Sequence, residues 1–398
     1  WDDGDDLHAE PRSPYPHVRD VLVQRAHLSG AALLVAGFAR TAEAQLLVDS
    51  GWAHEVLAGR DTVRATAPRV TAIGEHDSQL ARDPAARAAR LPSMAFEAAR
   101  AALTTGAPVL VQVPRRGYAP SLACQRCRAP ARCRHCAGPL ASRAGDRPPA
   151  CRWCGVSEAA FRCTTCGDQR LRASVVGARR TAEELGRAFA GVPVRTSGGA
   201  EVLAEVPAGP ALVVCTPGAE PVAPGGYGAA LLLDGWALLS RADLRATEEA
   251  LRRWMTAAAL VRAGVDGGRV VVLAESVLAP VQALVRWDPV WHARQELAAR
   301  AELGFPPAVR MASVDGVPAA LADFLLSLRL PKDADVLGPV PLEHTGPGEP
   351  EERERALVRA PRERGRALAS ALFDALAVRT ARKDPDPVRI HLDPLELV

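Results

Sequence analysis

The chain reads as an α/β protein with a cysteine-rich metal module inserted into it and an α+β domain in its last third. Three observations point there. Apolar runs such as Val109–Val113, Ala211–Cys215 and Ala229–Leu233 recur between helical stretches, the pattern of parallel strands buried on both faces. Eight cysteines fall as four Cys-x-x-Cys pairs between Cys124 and Cys166. Residues 308–392 follow the order β-α-β-β-α-β, the split ferredoxin-like motif.

At 398 residues the chain has room for two to four domains, and 48% hydrophobic residues suffice for their cores. The net charge of +3 places any basic footprint locally. No apolar run approaches the roughly 18 residues of a membrane span, and no secretory leader is visible, so reduced thiols in the cytoplasm are expected. Because the chain opens at Trp1 into an acidic cluster, further sequence upstream is expected. Only Lys332 and Lys383 are lysines, and neither lies in a Gly-x-x-x-x-Gly-Lys-[Ser/Thr] loop.

In chain order, Asp2-Asp3-Gly4-Asp5-Asp6 is an acidic loop, or a Mg²⁺ position if a strand precedes it. Val18–His27 can form a helix, and Ala31–Ala36 is expected to be a buried strand. Thr41 is placed to cap a helix over Ala42–Val48. Residues 58–92, polar and arginine-rich with Pro68, Pro84 and Pro92, read as a connector. Ser93–Thr105 is a helix and Val109–Val113 a strand, after which the cysteine module follows at once. Beyond it the pattern predicts a helix over 181–189, a short strand near Val194, strands at 211–215 and 229–234, a long helix over 240–263 and a strand at 270–273. Cys215, with no cysteine at ligand spacing, is expected to be a buried thiol. A helix over 289–303 precedes the last domain: strand 308–314, helix 317–329, strands 334–340 and 355–359, helix 362–379 and strand 387–392.

Two residues between thiols let both sulfurs of a knuckle face one ion, so Cys124/Cys127, Cys133/Cys136, Cys151/Cys154 and Cys163/Cys166 provide two closed tetrahedral Cys₄ sites. A disulfide framework is the competing reading, disfavoured in a long chain without a leader. Three pairings of knuckles are possible. The loop between Cys136 and Cys151, with Gly138, Pro139, Gly145, Pro148 and Pro149, favours Cys133, Cys136, Cys151 and Cys154 as one site and Cys124, Cys127, Cys163 and Cys166 as the other. His135 inside a knuckle could replace a thiol, but an exposed imidazole is expected. Fourteen arginines against Asp146, Glu158 and Asp168 give residues 115–180 a side-chain charge of +11 apart from cysteine. Two Zn²⁺ with eight thiolates would reduce it to about +7. Arginine forks near Tyr118, Trp153 and Phe161 suit phosphate contact and base stacking, although arginine could also just solvate a small module.

Along its whole length the chain resembles the primosomal replication-restart (PriA) family of superfamily 2 helicases. The resemblance rests on the eight-cysteine array, Arg115-Arg116-Gly117-Tyr118-Ala119-Pro120 before it, Phe305-Pro306-Pro307, Leu337-Gly338-Pro339-Val340-Pro341 and Leu392-Asp393-Pro394. It implies RecA-like helicase lobes in a degenerate form. Residues 1–60 would end lobe 1, 61–122 form a connector and start lobe 2, 123–168 the double zinc module, 169–288 the rest of lobe 2, and 289–398 the C-terminal domain. In the family the outer four cysteines hold one Zn²⁺ and the inner four the other. Where the family has Asp-Glu-x-His this chain has Asp2-Asp3-Gly4-Asp5; Gly-Ser-Ala-Thr is replaced by Gly37-Phe38-Ala39-Arg40; the arginine-finger motif survives as Arg262 and Gly264; Gly-Thr-Gln reads Cys215-Thr216-Pro217. Asp2, Asp3 and Arg262 therefore form at most a degenerate nucleotide site, and ATP and Mg²⁺ are doubtful cofactors.

The function this implies is replication restart: binding branched or fork DNA and single-stranded DNA, and promoting primosome assembly and replisome reloading without helicase activity. Arg115, Arg116, Tyr118, Arg126, Arg134 and Arg152 are the candidate DNA contacts. Primosome proteins, single-stranded-DNA-binding protein and the replicative-helicase loading machinery are the expected partners, in the cytoplasm at the nucleoid. The alternatives are a weakly active ATP-dependent 3′–5′ helicase, which a Gly-Lys-Thr loop upstream would favour, and a zinc-ribbon interaction module, which salt-independent or absent fork binding would favour.

Overall fold

A computed structural model describes residues 2–74, 89–114, 122–127, 129–135, 140–141, 148–151, 156–172, 178–239, 241, 243–342 and 352–397. They form two compact units, one of Glu55–His292 and one joining Trp1–His54 to Ala293–Val398.

The first unit is built on six parallel strands: β1 (Arg69–Ile73), β2 (Val109–Gln112), β7 (Val194–Ser197), β8 (Leu212–Cys215), β9 (Ala229–Leu232) and β10 (Arg269–Glu275). Their order is β1-β10-β9-β2-β8-β7. Every residue of β2, β8 and β9 is buried, as continuous apolar runs require of a sheet covered on both faces. On one face lies α4 (Ser93–Thr104), which presents Ala95, Ala98, Ala99 and Ala102 to Val109, Val111, Ala229 and Leu231. Those small residues let it come close: a Cβ on Gly228 would lie 2.7 Å from that of Ala107 and 2.8 Å from that of Ala102. Leu185 and Phe189, at the end of α5 (Ala178–Ala188), fill the same core. Gln112 reaches the other way, donating to the Arg253 carbonyl at 3.2 Å on α7 (Ala246–Ala258).

Two expectations are corrected in this unit. The supposed connector contains α3 (Arg60–Thr66) and the edge strand β1, paired in register with β10 from Arg69↔Arg269 to Ala72↔Val272. Val70, Ala72 and Ile73 are buried, but five residues between Pro68 and Gly74 are too few for a period to show. The long helix expected over 240–263 is instead α6 (Gly235–Leu239) and α7. Asp243 ends the continuity, accepting from the Arg245 amide at 2.8 Å and pairing with Arg241 at 2.9 Å. After α7 the chain runs extended, with Tyr227 N–H donating to Leu260 O and Arg262 N–H to Tyr227 O. A helix that the pattern missed, α8 (Ala279–Arg286), starts at a proline in its first turn and buries Val281 and Leu284.

In the second unit, β11 (Val309–Gly316), β12 (Asp335–Pro341), β13 (Glu354–Pro361) and β14 (Arg389–Leu392) form an antiparallel sheet of order β12-β13-β11-β14. With α10 (Pro318–Ser327) and α11 (Gly365–Arg382) this is the expected β-α-β-β-α-β order. Ala312, Val314, Ala356 and Val358 meet Leu321, Phe324, Leu368 and Leu372. Two of the singled-out motifs are structural. Gly338, at φ 95°, lies in a register shift between Leu337 and Val340 that interrupts the edge strand β12. Asp393 closes β11 by accepting from Met311 N–H at 3.1 Å and pairing with Arg310.

The N-terminal segment packs into this unit. Helix α1 (Val18–Ser29) runs two residues past the expected end, and Thr41 caps α2 (Ala42–Asp49) by accepting from Ala44 N–H at 3.1 Å. The Tyr15 ring lies 3.7 Å from that of His391 on β14. Arg300, on α9 (Pro289–Leu303), faces Glu43 at 3.8 Å, and Glu43 faces Arg19 at 3.9 Å. The strand expected at Ala31–Ala36 is not one, and Leu34 is 74% exposed. An apolar run becomes a strand only when a neighbour supplies hydrogen bonds, and among the described residues none pairs with it.

Candidate metal centre

The outer cysteines are brought together by a two-stranded ribbon that follows β2 in the chain. In it β3 (Ala123–Cys124) pairs with β6 (Leu171–Arg172) in antiparallel register, Cys124 opposite Leu171. This sets the knuckle Cys124/Cys127 against Cys163/Cys166. The ligand atoms of all four lie within 4.8 Å of one another, with Cys124 Sγ 3.6 Å from Cys166 Sγ and Cys127 Sγ 3.5 Å from Cys163 Sγ. Four sulfurs at about 2.3 Å from a tetrahedral Zn²⁺ stand about 3.8 Å apart, so the residues present fit such an ion. The turns that aim them are local. Cys124 N–H donates to Ala129 O, Cys163 N–H to Asp168 O, and Gly167 N–H to Cys163 O, each at 2.9 Å.

Other amides of the second knuckle tune its first thiol. Burial raises Cys163, but backbone N–H groups of Cys166 and Thr165 and the thiols of Cys127 and Cys124 outweigh it and hold it down to about 7. Burial raises Cys124 and Cys127. One thiolate is thus available near neutral pH, and an incoming cation would displace the remaining protons. With four sulfurs a site of this kind has no open position, so it holds shape rather than doing chemistry.

Of the inner four, Cys133 and Cys151 are described, and Cys136 and Cys154 lie outside the described residues. Here β4 (Leu140–Ala141) pairs with β5 (Ala150–Cys151), Leu140 opposite Cys151. Cys133 and Cys151 are buried in one cluster with Leu122, Leu140 and Phe161. The amide of His135 donates to Cys133 Sγ at 3.3 Å, and its side chain is exposed as expected.

The candidate DNA contacts fare differently. Arg115, Arg116, Tyr118 and Arg152 lie outside the described residues. Arg126 is exposed within the first knuckle. Arg134 is exposed too, but its guanidinium is held two-pronged by the buried Glu158, with Nε 3.0 Å from Oε2. Cys215 is fully buried and donates to Val111 O at 3.7 Å.

Asp2 and Asp3 belong to one compact unit and Arg262 to the other. Asp2 Oδ1 accepts from Gly4 N–H at 3.2 Å. Asp3 is buried, 4% exposed, and its Oδ2 accepts from Thr41 Oγ1 at 2.6 Å and from Arg19 Nη1 at 3.3 Å. Burial raises its carboxyl above the ordinary range, and Arg19 and Thr41 only partly offset that. Arg262 is exposed at its fork, with Nε donating to Gly225 O at 2.8 Å. The buried network of Asp3, Arg19, Glu43 and Arg300 escaped the sequence reading, because its members are far apart in the chain and follow no local spacing.

A family model described as "Primosomal protein N C-terminal domain" matches residues 301–395. The chain is 58% identical over 405 residues to the "Probable replication restart protein PriA" of Mycobacterium leprae, which covers 100% of the chain and 62% of that protein. It is 56% identical over 410 residues to the proteins of the same name from Mycobacterium bovis and Mycobacterium tuberculosis strain H37Rv, covering 100% of the chain and 63% of each. The chain therefore spans about three-fifths of the length of the relatives it matches. Over its whole length the chain is thus similar to the PriA replication restart proteins, and its last hundred residues match the C-terminal domain of primosomal protein N.

Proposed function

We propose that the protein binds branched DNA at stalled replication forks and promotes primosome assembly and replisome reloading, without unwinding DNA. Identity of more than half over the full length of the chain to replication restart proteins carries this reading. In it the parallel sheet of Glu55–His292 is a RecA-like lobe 2, a reading supported by its six parallel strands. The division into an end of lobe 1, a connector leading into lobe 2, an inserted double zinc module, the rest of lobe 2 and a C-terminal domain follows from it. The inserted module takes two Zn²⁺, one on Cys124, Cys127, Cys163 and Cys166 and one on the inner four. Its role is a rigid platform for DNA and for primosome proteins, single-stranded-DNA-binding protein among them.

The absence of unwinding is supported by Asp3. A carboxylate meant to activate water beside Mg²⁺ needs solvent access, and this one is buried against Thr41 and Arg19. The test is a titration of the intact protein with forked DNA over a range of salt, with ATP hydrolysis followed in the same samples. Fork binding that weakens steeply with salt, and hydrolysis indifferent to DNA, are the expected results. DNA-stimulated hydrolysis at the rate of an active helicase would replace this reading with that of a motor. Fork binding insensitive to salt, or none, would leave an interaction module.

A further inference from the structure

Glu158 is an unusual residue for its setting. It is one of only three acidic residues between positions 115 and 180, and it is buried, 8% exposed, in an arginine-rich module. Its carboxylate receives both prongs of Arg134, from Nε at 3.0 Å and from Nη2. The two ends of this pair belong to different cysteine knuckles. Arg134 follows Cys133 directly. Glu158 lies just past the hairpin that carries Cys151: its amide donates to Pro149 O at 2.7 Å, and its neighbour Ser157 bridges to Ala150. The guanidinium therefore crosses from the Cys133 turn to the Cys151 hairpin, beside the core in which both cysteines are buried.

A shorter-range pair stands at the outer centre, with both residues just past its second knuckle. Arg170 places Nε and Nη2 on Asp168, each at 3.3 Å, and Asp168 follows Cys166 by two residues. The Arg170 carbonyl accepts from Gln125 N–H at 2.9 Å, which sets this residue beside the first knuckle. Each centre thus has one arginine beside its first knuckle and one carboxylate, just past its second knuckle, that fixes the arginine there. The chemistry accounts for the repetition. A Zn²⁺ bound by four thiolates carries a net charge of −2, which a nearby guanidinium offsets. A long side chain left free would spend much of its time in solvent.

We propose that Arg134 and Glu158 are positioning residues for the second metal, a clasp that locks the Cys133 turn to the Cys151 hairpin and offsets the charge of the bound ion. On this view Arg134 is not a DNA contact. The proposal rests on the reading that Cys133 and Cys151 share one Zn²⁺.

The test uses the intact zinc-loaded protein with Arg134→Gln, Glu158→Gln and Arg134→Lys. Zinc release into a chromophoric chelator is followed in time, and far-UV circular dichroism checks each variant's fold. Wild type should release two zinc ions per chain. In Arg134→Gln and Glu158→Gln one of the two should leave about 10- to 100-fold faster, the other at its original rate. Arg134→Lys, with the charge but not the fork, should fall between. Unchanged release in both glutamine variants, or equal acceleration of both ions, would overturn the clasp alone. A single zinc in the wild type would remove the two-metal reading and the clasp with it.

Discussion

The single residues that matter most here are buried charges and one exposed arginine. His292 is fully buried, and burial pushes its imidazole down to about 4 from an ordinary value near 6.5. The folded state therefore binds fewer protons than the unfolded chain between these values. Its contribution to stability is intact above about 6.5 and lost progressively as pH falls towards 4, by up to roughly 3 kcal/mol. Replacing His292 by Gln should flatten the pH dependence of the urea midpoint in that window, and a curve parallel to wild type would show that another group titrates. Asp3 has the opposite sign, since its raised carboxyl takes up a proton more readily when folded, so it adds nothing to acid lability. In the proposed function Arg126 would act on binding instead. Exposed in the first knuckle and without an ion pair among the described residues, it is suited to a phosphate. Arg126→Ala should weaken binding to forked DNA about equally for all sequences and lower the slope of log affinity against log salt by about one. An unchanged slope would mean that this arginine only solvates the module.

At the scale of elements, the sheet and the helix α4 show what close packing demands. Gly228 leads into β9 where Ala102 and Ala107 leave no room for a Cβ. Gly228→Ala should cost about 1–3 kcal/mol through overpacking, read from chemical denaturation, with the metal centres unaffected. A neutral substitution would mean that α4 can withdraw. The same elements show which parts of the fold could be read from sequence. Strands β2, β8 and β9 were legible because a strand buried on both faces is a continuous apolar run, and α9 because its ends carry proline and glycine. The closing domain was legible because strand and helix periods alternate within it. Strand β1 was hidden by its brevity, and the break between α6 and α7 by Asp243, whose turn is a side-chain effect inside a helical pattern. Ala31–Ala36 misled because hydropathy records what a segment would bury, not whether a partner pairs with it. The cysteine spacing singled out the four outer thiols that the fold brings together, yet no spacing could reveal that Arg134 is already engaged, since Glu158 meets it only after the β4–β5 hairpin forms.

For the molecule as a whole, stability comes from separate cores that should fail separately. The parallel sheet rests on a large apolar cluster, whereas the cluster in the cysteine module has, among the described residues, eight buried members, four of them cysteines. Apart from the cysteines, the large apolar side chains buried in that cluster are Leu122, Leu140 and Phe161 among the described residues, with small alanines around them. A core of that size is too small to hold a ribbon of two-residue strands, so in the proposed two-zinc module metal binding and folding should be one event. Chelation of the intact protein should therefore melt residues 122–172 while the six-stranded sheet and the antiparallel sheet of the other unit persist. Limited proteolysis followed by mass mapping should show new cleavage confined to the module, and circular dichroism should lose little signal. Affinity for forked DNA should fall together with the module, because the exposed arginines are displayed in fixed places only while the knuckles are closed. Cleavage throughout the chain would show that the module props up the sheet from which it emerges. A chelated protein that stays resistant and still binds forked DNA would show that the cysteine centres are dispensable for both folding and DNA recognition.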